Sequence, residues 1–158
     1  MRKFAITLLL IAVLTLGLAG TATAGSAPSA SGRGGTVWAF NAIQVDASTG
    51  AARGQIQYVD VMCVDTISGL EAHGKVLYLA VNGNNAWIGF VVTQSNYAEL
   101  VGTEWVLEVQ DNGEGKGATG PDLVSGINSF PASYAVAQPD FSPGFTECTL
   151  GNIQVFPG

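Results

Sequence analysis

Residues 70–93, LEAHGKVLYLAVNGNNAWIGFVVT, decide the fold class of this 158-residue chain. Two runs rich in β-branched and aromatic residues, 70–81 and 86–93, flank an Asn-Gly-Asn-Asn segment. Such residues favour strands. Asn-Gly between two apolar runs is a strong signal for a tight hairpin, because both residues accept a positive φ. The stretch therefore predicts two antiparallel strands that turn at residues 82–85.

Strand-like sequence continues on both sides of this hairpin. Residues 36–45 and 53–64 precede it, and short strands are predicted at 123–130, 133–137 and 152–156. In between, Trp105, Leu107 and Val109 alternate with Glu104, Glu108 and Gln110, which is typical of a half-buried strand with a wet outer face. Short strands with Gly and Asn between them predict an all-β fold, a single antiparallel barrel or sandwich of about seven to nine strands.

The N-terminus carries the features of a secretory signal. Arg2 and Lys3 precede an apolar run at 4–18, and Ala22-Thr23-Ala24 is a small-x-small cleavage site. The run is shorter than the ~20 residues that a spanning helix needs, which disfavours the alternative of an uncleaved anchor. Residues 1–24 are therefore predicted to be removed after Ala24, and the product to be secreted or periplasmic. Residues 25–35, GSAPSASGRGG, predict a flexible leader, and 36–158 a single β-domain.

Charge limits the predicted partners. The chain has 12 acidic and 6 basic residues, a net charge of −6. Two of the basic residues fall in the signal, and the remaining basic residues are scattered along the sequence. Nucleic acid and anionic membranes call for basic patches. We therefore expect no nucleic acid, no membrane contact after signal cleavage, and an extracellular ligand or protein as partner of a monomer.

The two cysteines, Cys63 and Cys148, both follow the signal. Two cysteines in an oxidising compartment favour one disulfide, which would contribute about 4 kcal/mol in the chain-entropy model because it closes a long loop. Two separate buried thiols are the alternative. No CxxC spacing indicates a redox motif.

The sequence contains few residues that are candidates for catalysis. His73 is the single histidine and there is no GxSxG motif, so a Ser–His–Asp site has little to build on. Glu104 and Glu108 would stand about 13 Å apart along one strand, wider than the carboxylate pairs of glycosidases. We expect no enzyme, with a hydrolase whose carboxylates come from different strands as an open alternative.

The acidic loop at 111–122 is the strongest candidate for a ligand site. Its oxygen-bearing residues Asp111, Asn112, Glu114 and Asp122 match the chemistry that calcium prefers, with glycines that let the backbone curl. The alternative is a plain connection in which Asp and Asn cap their own turns. No other cofactor is predicted. Aromatic residues offer a face for glycans or apolar molecules, or else they fill the core.

A series of short strings carries a resemblance. They are Phe40-Asn41-Ala42, Arg53-Gly54-Gln55, His73-Gly74-Lys75-Val76, NNAWIG at 84–89, VQDNGEG at 109–115, Pro121-Asp122 and GNIQV at 151–155. In this order the chain resembles a group of secreted bacterial β-domains of unknown function. The resemblance implies a compact extracellular barrel or sandwich and no particular activity. We therefore expect a secreted, non-enzymatic β-domain with a binding or structural role; the alternative is a barrel for a small ligand or glycan.

Overall fold

A computed structural model describes residues 26–34, 38–59, 69–113, 117–144, 146–147 and 152–158. Its strands are β1 (Ser29–Gly34), β2 (Trp38–Asp46), β3 (Ala51–Val59), β4 (Glu71–Asn82), β5 (Asn85–Ser95), β6 (Glu104–Gln110), β7 (Leu123–Val124), β8 (Thr146–Glu147) and β9 (Asn152–Phe156). Short 3-10 helices lie at Ala98–Leu100, Ala132–Ala137 and Ser142–Gly144. None of the helices within these ranges is long and apolar enough to span a bilayer.

The described strands form one curled antiparallel sheet in the order β8-β7-β6-β5-β4-β3-β2-β1-β9, a half-barrel. The predicted all-β class is confirmed. Strands β8 and β9 lie at opposite edges of the sheet, yet Glu147 and Asn152 are only five residues apart in the chain. Five residues reach at most about 18 Å, so the two edges lie close to each other.

The predicted hairpin is present as β4 and β5. Asn82 pairs with Asn85, and Gly83 takes a φ of 61° in the turn between them. A positive φ is the requirement that made Asn-Gly a hairpin signal. Long pairing on both sides of the turn makes β4 and β5 the centre of the sheet.

The prediction of a flexible leader at 25–35 was wrong, because β1 occupies Ser29–Gly34 and pairs with both β2 and β9. Small residues here serve packing. Ala30 is fully buried, and a Cβ at Gly32 would stand 2.7 Å from the ring of Phe40. The small residues of β1, which are typical of linkers, therefore fit a crowded site. The strands on either side of β1 supply hydrogen bonds along both of its edges.

The predicted strand at 133–137 was also wrong. Residues Ala132–Ala137 form a 3-10 helix that ends at Gln138, whose φ of 51° is left-handed. Of the predicted strand at 123–130, only Leu123–Val124 and a single bridge from Asn128 to Val106 pair with the sheet.

The inner face of the sheet holds the main core. Its buried side chains come from every long strand and include Phe40, Ile56, Val76, Leu79, Ile88, Phe90, Trp105 and Ile153. Phe90 and Trp105 meet edge to face with ring centroids 5.9 Å apart, an arrangement that adds to burial. The expectation that Phe40 and Trp105 lie in the core is confirmed.

Part of the outer face is covered by the chain itself. Residues 126–144, the covering segment, lie over β4, β5 and β6. A second apolar cluster forms beneath them from Ala80, Trp87, Val106 and Ala135, packed by Tyr78 and Phe141. The indole N–H of Trp87 donates to the carbonyl of Pro139 at 2.7 Å. The predicted wet outer face of β6 was therefore wrong at Glu108, which is only 2% exposed, whereas Glu104 is exposed as predicted.

Candidate functional site

The acidic loop places two of its carboxylates against the last strand. The backbone N–H of Ile153 donates to Asp122 Oδ2 at 2.6 Å, and that of Val155 donates to Asp111 Oδ2 at 3.0 Å. The second oxygens are also used: Asp122 Oδ1 accepts from the N–H of Asn112, and Asp111 Oδ1 accepts from that of Gly113. These contacts, here called the β9 latch, fasten the outer edge of β9 to the end of β6.

The structure therefore describes three of the four predicted calcium ligands, Asp111, Asn112 and Asp122. Asn112 donates its amide to the carbonyl of Pro121 at 2.6 Å, while Glu114 lies outside the described residues. Within the described ranges there is no group of three or more His, Cys, Asp or Glu able to hold a metal. Calcium therefore stays a prediction. Cys63 and Cys148 also lie outside the described residues, so the disulfide stays one as well.

The two glutamates of β6 anchor the covering segment. Glu104 Oε2 accepts the backbone N–H of Ala132 at 2.7 Å, and Glu108 Oε2 accepts that of Phe141 at 3.1 Å. Glu108 Oε1 also accepts from the Asn85 amide at 3.1 Å. Burial raises the pKa of Glu108, and the N–H of Phe141 opposes that rise only in part. Both carboxylates therefore have structural partners on different parts of one segment.

A groove of about 900 Å³ lies on the uncovered part of the outer face. It crosses β2, β3, β4 and β5. Its lining is Asn41, Ile43, Arg53, Gly54, Gln55, Ile56, His73, Gly74, Lys75, Thr93 and Gln94. No residue named as a candidate ligand in the sequence is among them, so sequence patterns did not predict this site.

Irregular pairing underlies the groove. Between the pairs Ala51↔Tyr78 and Gln55↔Lys75 the register of β3 and β4 shifts, and β5 carries Thr93 as an extra residue opposite β4. Bulges of this kind bend strands and re-aim side chains. At the first of them Gly54 has a φ of 152°, where a Cβ would stand 1.9 Å from the Asn41 carbonyl oxygen. The groove is therefore built into the backbone.

Positive charge gathers in this groove. Arg53 on β3 and Lys75 on β4 are exposed, His73 lies two residues from Lys75 on the same strand face, and the described part of the lining contains no Asp or Glu. Among the described residues neither Arg53 nor Lys75 forms an ion pair. Glu71 lies two residues before His73 on the same face of β4, just outside the lining. The bases that are scattered along the sequence are thus brought together by strand register.

A second depression of about 310 Å³ continues the groove towards β1. Its lining shares Asn41 and Ile43 with the first and adds Ser29 and Ser31 from β1. Five neighbouring strands at ~4.8 Å spacing span about 19 Å. The two depressions therefore adjoin at Asn41 and Ile43 on β2.

Sequence reasoning missed this site because its residues are far apart in the chain and individually ordinary. One signal in the sequence is the pair of strings Arg53-Gly54-Gln55 and His73-Gly74-Lys75, each a glycine inside a strand between polar residues. Glycine within a strand often marks a bulge or a close approach. The order of these strings along the chain does not reveal that β3 and β4 bring them side by side.

Comparison with family models, with curated proteins and with solved structures gave no match to this chain.

Proposed function

We propose that this protein is a secreted binding domain whose outer-face groove takes an anionic ligand. The observation that carries the proposal is the lining itself: Arg53, Lys75 and His73 line one groove whose described residues include no carboxylate, on a chain of net charge −6. In an acidic protein, neighbouring bases that form no ion pair with a described residue are a local exception. Such a basic site attracts anions electrostatically, although the protein as a whole is acidic.

The residue types suit recognition of carboxylate, sulfate or phosphate groups. The guanidinium of Arg53 offers a planar fork of donors that matches two oxygens at once, and Lys75 offers a compact point charge. Gln55 lies directly opposite Lys75 across β3 and β4 and two residues from Arg53 on the same strand, so an amide accompanies the two charges. An anion in the groove would receive charge-assisted hydrogen bonds from two strands.

The lining supports binding rather than hydrolysis. Hydrolysis by paired carboxylates needs an acid and a base near one bond, and the described lining of this groove contains neither an Asp nor a Glu. That part of the lining also offers His73 no Ser or Cys to activate, and Thr93 donates its hydroxyl to the His73 carbonyl at 3.1 Å. We therefore propose a non-enzymatic role.

A titration of the protein with citrate, monitored by calorimetry at low ionic strength, tests this function. We expect Arg53→Gln and Lys75→Gln each to weaken binding about tenfold, because a charge-assisted hydrogen bond contributes about 1.5–3 kcal/mol. Arg33→Gln is the matched control, since Arg33 is exposed on β1 but outside the lining. Equal citrate affinity in the wild type and in the Arg53→Gln/Lys75→Gln double variant would refute the proposal.

A further inference from the structure

Resting on this proposed function, we infer that the ligand is a linear acidic polysaccharide with widely spaced charges, lying across the strands. Three features of the groove define this class. They are its length, the chemistry of its uncharged lining, and the number of its cations.

The first feature is the length. The main groove and the second depression share Asn41 and Ile43, and together they run about 19 Å from β1 to β5. A compact anion would occupy only the part near Arg53 and Lys75. The serines of β1, Ser29 and Ser31, would then have no role in binding, whereas an extended chain reaches both ends.

The second feature is the neutral lining. Amides and hydroxyls surround the two fixed charges: Asn41, Gln55, Gln94, Thr93, Ser29 and Ser31. An amide both donates and accepts hydrogen bonds, and so does a hydroxyl. This combination matches a ligand that presents many hydroxyl groups and few charges.

The third feature is the number of charges. Double-stranded nucleic acid carries one charge per ~1.7 Å, or about 11 along 19 Å. Against these charges the groove provides two fixed positive charges, those of Arg53 and Lys75, and the chain as a whole is acidic. Single strands call for aromatic platforms, and none of the described residues that line the two depressions is aromatic. A polymer with about one charge per 10 Å fits the two bases.

Oligogalacturonates of increasing length, methyl-esterified on every second ring so that the free carboxylates are widely spaced, provide the test, with the fully methyl-esterified oligomers as uncharged controls. We expect the affinity of the tetramer to exceed that of the monomer at least tenfold, and the esters to bind at least tenfold more weakly than the acids. Ser31→Phe, which fills the second depression, should weaken the tetramer and leave the monomer unchanged. Single-stranded DNA of the same length should bind more weakly than the tetramer.

Each other outcome identifies what has failed. If citrate binds through Arg53 and Lys75 but the tetramer binds no tighter than the monomer, the polysaccharide inference is overturned and the proposed anion site stands. Tighter binding of DNA, or equal binding of the esters, also overturns the inference. If neither citrate nor any oligomer binds, both proposals fail.

Discussion

The outer face of the sheet has two halves that the same strands build differently. Over β4, β5 and β6 the chain covers itself: residues 126–144 pack on Trp87 and Val106, and the Glu104 and Glu108 carboxylates hold them down. Over β2, β3 and the other end of β4, the face stays open and carries Arg53 and Lys75.

The boundary between the halves runs within β4 and β5, which contribute to both. Bulges on these strands separate the residues under the cover from those in the groove. The covered side is apolar around Trp87 and Val106 except for the Glu104 and Glu108 carboxylates, which accept hydrogen bonds from the segment above them, whereas the groove carries charged and amide side chains. The difference shows that residues 126–144 complete one half of this face, while none of the described residues covers the half that holds the groove.

The largest effect is expected at the β9 latch, which keeps the sheet curled under both halves. Asp122→Ala leaves the N–H groups of Ile153 and Asn112 without their carboxylate, so we expect a loss of about 3 kcal/mol in the free energy of unfolding. Glu99→Ala, an exposed acid on the Ala98–Leu100 helix, is the control and should cost under about 0.5 kcal/mol. Urea denaturation measures both.

The calcium hypothesis for the same loop makes a different prediction. If Asp111 and Asp122 act as a latch alone, calcium and EDTA leave the melting temperature of the wild type unchanged. A calcium-specific rise, reversed by EDTA and lost in Asp122→Ala, would show that the loop is a metal site and would contradict the latch as its main role.

The next largest loss of stability is expected in the covered half of the outer face. A Cβ at Gly89 would stand 1.9 Å from the carbonyl oxygen of Ala132, so Gly89→Ala must push the covering segment away. We expect a loss of about 2 kcal/mol and faster amide hydrogen exchange at residues 132–141. Gly120→Ala is the control, because nothing lies within 4 Å of a Cβ there. Unchanged exchange in the segment would contradict the described packing.

Sequence patterns predicted the sheet far better than they predicted its outer face. The β4–β5 hairpin followed from a local turn signal, and the core positions of Phe40 and Trp105 from alternation. Alternation cannot say what lies on the second face, so Glu108 was expected in water although the distant Phe141 region buries it. The groove was missed for a similar reason: Arg53 and Lys75 become neighbours only through the register of β3 and β4.

A pH effect is expected from Glu108 in the covered half. Its pKa is raised by burial above the ordinary value of 4.5, so the folded protein holds the proton more tightly than the unfolded chain. The stabilisation from this group is complete below about pH 4.5 and is lost as the pH rises through the raised pKa. Glu108→Gln cannot ionise, so it should gain stability relative to the wild type between pH 4.5 and neutrality.

Urea denaturation of both proteins at pH 4.5, 6 and 7.5 checks this prediction. Glutamine keeps an acceptor for the Phe141 N–H, and a flip of the Asn85 amide turns Oδ1, a buried oxygen that has no partner in the described part of the chain, towards the glutamine amide in place of Nδ2. Asp46 and Asp140, whose pKa values are lowered by the Ser48 and Ser142 hydroxyl and amide donors, titrate below this range in both proteins. Parallel stability curves would contradict a buried, ionising Glu108.

The smallest effect on stability is expected in the open half. Arg53→Gln and Lys75→Gln remove exposed charges that form no ion pair with any described residue, so each should change the free energy of unfolding by less than about 0.5 kcal/mol. Glu71→Gln should be equally neutral for stability but should tighten citrate binding about twofold, because it removes a negative charge beside the groove. A large loss of stability in the Arg53 or Lys75 variant would mean that the groove serves the fold.

The most direct test of the proposed anion site is an NMR titration of the isotopically labelled protein with citrate. We predict amide shifts confined to residues of the groove on β2, β3, β4 and β5, and their disappearance in the Arg53→Gln/Lys75→Gln double variant. Shifts centred on the covering segment, or shifts that persist unchanged in the double variant, would contradict an anion site in this groove.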